Sequence, residues 1–308
     1  MCDFNNCSNL ANNDSNGINE ITPCASIPQD IILAAALITT VIGLIGNTVT
    51  IVVIVATKQH KKSVATCFVL NLAVADDLFI IGLPLQAYIN YTGKWTLGEF
   101  MCKLHFPTYG INLFASIFTM SFMSIDRYLA IREPIRSIGF KSPKKAFVIC
   151  IIIWLLCFVI NIPLWHFADV SNGVCFLSAT KMGKRGYNAW KIVQLLLGFV
   201  IPLFVMMICY SCLIYHLKVR RIPSQNQVPS HLKNVTCMVF LVTVIFIICW
   251  TPWHIVKFAH LIPVQHIRDN YCVYNGINVV AQLLVFFSCC CNPFIYWISG
   301  GKFSKYTL

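Results

Sequence analysis

Residues 103–131 read KLHFPTYGINLFASIFTMSFMSIDRYLAI. From Leu104 to Ile125 there is no Asp, Glu, Lys or Arg, and only then do Asp126 and Arg127 stand side by side. About 20 mostly apolar residues cross the hydrocarbon of a bilayer as one helix. An ionisable residue near the bilayer centre costs at least ~2.5 kcal/mol, so the few that persist mark function. The stretch reads as a membrane-spanning helix with an acid–guanidinium pair at one mouth. A second string, Asn292-Pro293-Phe294-Ile295-Tyr296, lies near the end of the last such run. Few charges, placed like these, suit a bundle that switches rather than one that anchors.

Outward from that stretch the same pattern recurs. The chain is 57% hydrophobic and 11% charged, a balance no soluble domain of 308 residues sustains. Runs of sufficient length fall at 31–57, 64–90, 103–131, 146–167, 190–217, 235–262 and 274–299. They are continuous rather than alternating, which excludes a closed β-barrel. The expectation is an all-α membrane protein. A tail over 1–30 precedes a seven-transmembrane helix bundle over 31–299, and a short cytoplasmic segment covers 300–308.

The net charge of +12 does not point to nucleic acid once its distribution is seen. With the N-terminus outside, 15 of 23 Lys and Arg fall on cytoplasmic segments, and the first 57 residues hold none. That bias sets topology. The tail lacks a basic n-region and an apolar h-region, so the first span is expected to serve as the targeting signal. Sequons at Asn6 and Asn13, and at Asn90 beyond the second span, suit an extracellular side, although such motifs are weak. Ten of 16 cysteines lie inside spans, where a thiol packs as a small hydrophobe. Cys2, Cys7, Cys24, Cys102, Cys175 and Cys272 fall outside, in an oxidising compartment. They admit more than one connectivity. A Cys102–Cys175 link is expected, and a Cys24–Cys272 link would tie the tail to the last outer loop. Cys2 and Cys7 pair with each other or stay free.

Connections are short except 168–189 outside and 220–233 inside. In the former, Asn172-Gly173 followed by Val174-Cys175-Phe176-Leu177 signals a hairpin over the entrance. Prolines at 84, 163, 202, 252 and 293 lie within or near span ends and can kink them.

In order and on successive spans, these residues resemble the rhodopsin-like (class A) G-protein-coupled receptors. Gly46-Asn47 matches the first span, and Asn71 with Leu72-Ala73-Val74-Ala75-Asp76 the second. Cys102 through Asp126-Arg127-Tyr128, with Pro134 beyond, matches the third, and Trp154 the fourth. Pro202 and Tyr210 match the fifth, Cys249-Trp250-Thr251-Pro252 the sixth, and Asn292 to Tyr296 the seventh. The resemblance implies a plasma-membrane, multi-pass receptor that activates heterotrimeric G proteins, with no catalytic chemistry of its own. Phe303 then fits the start of a short amphipathic helix after the seventh span.

Physical reading and resemblance meet at three places. Asp76 lies about 18 Å along its helix from Val64, near mid-membrane, where a lone carboxylate is costly. Asn112 and Ser116 share one helix face. With Ser288 and Asn292 they form a polar chamber that in the resembled family holds a sodium ion; the alternative is a plain interhelical hydrogen-bond network. Arg127, restrained by Asp126, is by resemblance the latch for the G protein. Many relatives hold this Arg with an acid on the sixth helix. Here that stretch reads His231-Leu232-Lys233, leaving Thr236 as a weaker restraint, so ligand-independent signalling is expected. Trp250, two residues before Pro252, is placed to move under a ligand. Tyr210 and Tyr296 would close around Arg127.

The vestibule sets the ligand. Amine, somatostatin and opioid receptors carry an Asp where this chain has Tyr109, so an amine held by that pair is not expected. No Lys stands between Val279 and Ser288, which argues against retinal. Pro84 with Gln86, Gly110-Ile111-Asn112, Ser116-Ile117-Phe118-Thr119 and His254 resemble the somatostatin, opioid and galanin group. Gln86, Tyr109, Lys191, Gln194, Trp250, Trp253, His254, Lys257 and Gln282 are the candidate ligand contacts. Lys191 and Lys257, with Lys181, Lys184 and Arg185 above, make a basic mouth that attracts anions. A neuropeptide with a carboxylate near Lys191 and Lys257 is the expectation; acids of the tail (Asp3, Asp14, Glu20) are the plainer partners for those lysines. Coupling to the inhibitory class follows by analogy with these neighbours. The basic inner loops would also meet anionic lipid headgroups. A non-peptide ligand is the nearer alternative. An ion transporter using Asp76 is the farther one, and no repeated halves support it.

Overall fold

The computed structural model describes residues 29–92, 94–132, 142–219, 230–259 and 271–299. Among them, seven helical segments are long and apolar enough to cross a membrane: Asp30–Ala56, Val64–Ile89, Gly98–Arg132, Pro143–Phe167, Thr180–His216, Asn234–Phe258 and Gly276–Ile298. Pro134, the cysteines at 2, 7 and 24, and the sequons at 6 and 13 lie outside the described residues, as does the segment after the seventh span. The Cys24–Cys272 pairing therefore also lies outside the described residues.

In lipid, apolar side chains gain nothing by leaving the hydrocarbon, so helices associate through van der Waals packing and interhelical hydrogen bonds. The third span is the axis. In the most apolar stretch of the second and third spans 67% of residues are buried, against 28% in the fourth. Leu72, Phe114, Ile117 and Met120 fill the centre, while Ile151, Leu155 and Val159 of the fourth span face outward.

Polar ties fix the register. Asn71 Nδ2 donates to Thr119 Oγ1 at 2.8 Å, and its Oδ1 accepts from Trp154 Nε1 at 2.8 Å, joining the second, third and fourth spans. Asp77, which the sequence leaves unexplained, sits between the first two spans and accepts from Thr48 Oγ1 at 3.0 Å.

The first and seventh spans meet over a proline. Pro293 has no N–H for the carbonyl four residues back, that of Cys289. Asn47 Nδ2 supplies the missing donor, 3.2 Å from the Cys289 oxygen. Gly46 permits the approach, since a Cβ there would stand 3.0 Å from the Pro293 ring. Replacing Asn47 by Leu strands that carbonyl away from water and should destabilise the bundle by about 1–3 kcal/mol. Thermal unfolding of the purified protein checks this; an unchanged Tm refutes it.

The expected hairpin is present. Strands β1 (Ala168–Ser171) and β2 (Val174–Leu177) pair antiparallel. Asn172 (φ 53°) and Gly173 (φ 71°) both adopt the left-handed conformation that a two-residue hairpin turn demands. Cys102 at the head of the third span is disulfide-bonded to Cys175 on β2. The Trp95 N–H donates to the Gly173 carbonyl at 2.6 Å. Lys181 Nζ lies 2.7 Å from Asp169, and its ammonium holds that carboxyl below its usual value.

Several helices begin before the expected spans, that of the sixth at Ser230 rather than 235, and two of these starts bear on the vestibule. The helix of the third span begins at Gly98 rather than 103, with Glu99 and Lys103 paired one turn apart. Helix leading into the fifth span begins at Ala179, inside the stretch expected as loop. Ser178 Oγ caps it by accepting from the Lys181 N–H at 3.3 Å. Gly183 (φ 73°) then breaks the helix, and with three basic residues nearby the segment imitates a loop. A π turn over Leu196–Val200 precedes Pro202.

Candidate functional site

Three groups of side chains lie along one path through the bundle. At mid-depth, Asp76 is 1% exposed. Asn292 Nδ2 donates to its Oδ2 at 2.7 Å, and Asn112 Nδ2 lies 3.4 Å from Oδ1. They border a cavity of about 10 Å³, on the scale that holds one water. Ser116, Ser288, Cys289 and Trp250 also line it. Asn112 Oδ1 and Ser116 Oγ are buried and have no hydrogen-bond partner among the described residues. A carboxylate flanked by the amide oxygen of Asn112 and the hydroxyl of Ser116 around a water-sized space is a donor set for a small hard cation. All five sodium-site candidates are thus brought together, although Ser288 Oγ is engaged with the Val285 carbonyl at 2.7 Å.

At one end, Arg127 is nearly buried. Its Nε donates to Asp126 Oδ2 at 3.0 Å and its Nη2 reaches the same oxygen. The Tyr210 hydroxyl lies 3.3 Å from Ser124 Oγ and 3.5 Å from Thr243 Oγ1, bridging the third, fifth and sixth spans. Tyr296 is buried, and its hydroxyl has no hydrogen-bond partner among the described residues. Tyr128 accepts from Arg132. Thr236 is half-buried on the sixth-span helix.

At the disulfide end, the Tyr109 hydroxyl donates to Gln86 Oε1 at 3.2 Å, and His105 Nε2 shares that oxygen at 2.9 Å. The position expected to lack an acid is therefore filled by a neutral cluster. Trp250 packs edge-on against Trp253 with centroids 5.7 Å apart, and Phe246 stacks on it at 5.2 Å. His254 lies against Phe199 at 4.5 Å, and its buried Nε2 has no hydrogen-bond partner among the described residues. Lys191 Nζ stands 4.6 Å from the Tyr187 ring centre and Lys257 Nζ 5.6 Å from that of Trp253. Gln194 and Gln282 are half-buried on the fifth and seventh spans.

A family model described as 7 transmembrane receptor (rhodopsin family) matches residues 46–296. This chain belongs to that family. It is a multi-pass plasma-membrane receptor and not an enzyme. Somatostatin receptor type 2 of Mus musculus is 31% identical over 299 residues, covering 94% of this chain and 80% of the relative. Somatostatin receptor type 5 of Rattus norvegicus is 34% identical over 269 residues, covering 86% of this chain and 73% of the relative.

Some of the receptor's site was not singled out from sequence. Cys289 reads as packing, yet it lines the Asp76 cavity. Its only signal is the triple Cys289-Cys290-Cys291 run beside Asn292. His105, Ser124 and Thr243 hold Gln86 and Tyr210 in place, and nothing in their local sequence marks them.

Proposed function

We propose that this receptor binds an extracellular peptide at the disulfide end and activates a heterotrimeric G protein of the inhibitory class at the Arg127 end. The observation that carries the reading is the position of Trp250. The ring packs edge-on with Trp253 in the vestibule, and the residue also borders the cavity of Asp76. A ligand that moves Trp253 displaces Trp250 into a space held open by polar groups. Names of the relatives, two somatostatin receptor types, support a peptide ligand, and the inhibitory class follows by analogy with that group. The lysine-rich segments 58–62 and 144–145 support an inward-facing Arg127 end, with the N-terminus outside. They would also lie against anionic lipid headgroups.

Sodium fits the chamber as an allosteric ligand. Asp76, Asn112, Ser116, Ser288 and Asn292 would hold it, and it would supply a positive charge beside the buried carboxylate. Asp126 meanwhile holds Arg127 against its own helix, which is the restrained state in this reading. Opening requires the guanidinium to leave Asp126 and Tyr210 to leave Thr243.

The test is nucleotide exchange on an inhibitory G protein in membranes from expressing cells. Sodium chloride should lower exchange relative to the same concentration of potassium chloride, and Asp76→Asn should erase that difference. Equal exchange in both salts, with exchange otherwise above control membranes, overturns the sodium site alone. Exchange that never exceeds control membranes under any secreted peptide overturns the receptor assignment to this G-protein class.

A further inference from the structure

Charge at the disulfide end does not balance among the described residues. Its acids are Asp30, Glu99 and Asp169. Glu99 is 2.5 Å from Lys103 and Asp169 is 2.7 Å from Lys181, while Asp30 is exposed at the tip of the first span. Lys191 and Lys257, deeper in the vestibule and only partly exposed, have no carboxylate partner among those residues. They stand on the fifth- and sixth-span helices, which meet just below where His254 packs on Phe199 at 4.5 Å. Each ammonium rests instead on an aromatic face, a site that holds a cation within about 6 Å of a ring centre. Those two faces are not equivalent. Tyr187, under Lys191, belongs to the helix leading into the fifth span; Trp253, under Lys257, is packed on Trp250.

We propose that an anionic group of the ligand seats between Lys191 and Lys257, and that Lys257 relays its arrival to Trp250 through Trp253. This rests on the peptide-receptor reading and assigns the two lysines different duties. A bridging carboxylate pairs with both ammonium groups in a site partly shielded from water, where charge pairs are stronger than in bulk solvent. It draws Lys257 off the Trp253 ring. Trp253 then loses the cation that holds one face and is free to turn against Trp250. Binding at Lys191 contributes affinity, whereas binding at Lys257 contributes both affinity and efficacy. Lys257 is thus a positioning residue for the switch as well as a contact.

The experiment uses the full chain in cells, with surface expression matched and exchange on an inhibitory G protein as readout. The probes are synthetic peptides, each made with a free C-terminus, with a C-terminal amide, and with Asp and Glu replaced by Asn and Gln. Active peptides should lose at least about tenfold in potency when one of the two carboxylate sources is removed, and which one identifies the source. Lys191→Met should lower potency and keep the maximal response. Lys257→Met should erase the acid preference and raise exchange without peptide, because Trp253 then carries no cation, and Lys257→Arg should restore both. Neutral and acidic forms of equal potency, or an acid preference surviving in Lys257→Met, overturn the proposal while leaving a peptide receptor standing. Neutralising Asp3, Asp14 and Glu20 together and finding the Lys257→Met behaviour also overturns it, because the lysines would then serve the tail. No active peptide in any form overturns the peptide reading and this inference with it.

Discussion

Arg127→Gln should bring nucleotide exchange down to the level of cells lacking the receptor, while Asp126→Asn should raise it above wild type. Both expectations come from one contact. The described hydrogen bonds of the Arg127 guanidinium go to Asp126, its neighbour in sequence, so the restraint is local to the third span. The corresponding stretch of the sixth span, His231-Leu232-Lys233, offers no carboxylate to share the load. A latch closed by one adjacent acid is easily opened, and the wild-type chain should signal without ligand. That basal signal makes the test independent of any agonist. Coupling of this kind spans roughly 5–150-fold, so Arg127→Gln should remove at least about tenfold of the exchange and Asp126→Asn should add severalfold. Wild-type exchange at control level would refute the weak latch. Intact exchange in Arg127→Gln, at matched surface expression, would refute the role of the guanidinium altogether.

Much of this architecture was legible because a bilayer imposes rules on sequence. Length and apolarity located the spans to within a few residues, except where charge and glycine hid the start of the fifth-span helix. Lys181, Lys184 and Arg185 with Gly183 and Gly186 carry every local mark of a loop, yet Ser178 caps a helix there. The hairpin was legible for the opposite reason: Asn172-Gly173 selects a left-handed turn by itself. Asp76, Asn112, Ser116 and Asn292 could be grouped because buried polar groups in a span must find one another. What stayed hidden is non-local. Asn47 serving the carbonyl of Cys289 joins residues 242 apart, and only the path of the chain brings them together. The same holds for Cys289 beside Asp76 and for His105 sharing Gln86 with Tyr109. Helical periodicity reports which face a residue occupies; it does not report which face of another helix arrives opposite.

Breaking the Cys102–Cys175 link should cut ligand-dependent signalling far more than basal signalling. The bond joins the head of the third span to β2, so it holds the hairpin over the vestibule. Noncovalent ties assist it. The Trp95 N–H donates to the Gly173 carbonyl at 2.6 Å, and Lys181 pairs with Asp169 at 2.7 Å. The latter is solvent-exposed and screened, and it weakens further in acid. Lys181 keeps the Asp169 carboxyl below its usual value, so the pair is intact at neutral pH and is lost as pH falls through that depressed value. Neither tie replaces a covalent bond closing a long loop, whose removal typically costs about 2–5 kcal/mol. Replacing both cysteines by Ser, rather than one, avoids leaving a reactive thiol outside the membrane. The double variant should reach the surface at reduced level and respond to peptide with potency lowered at least about tenfold. Its basal exchange per receptor should be unchanged, because Arg127, Tyr210 and Thr243 lie at the opposite end of the bundle. Acidifying the medium should weaken the double variant more than the wild type, since Asp169–Lys181 is then one of few ties left on the hairpin. A double variant that binds and signals like wild type at both pH values would show that packing alone seats the hairpin.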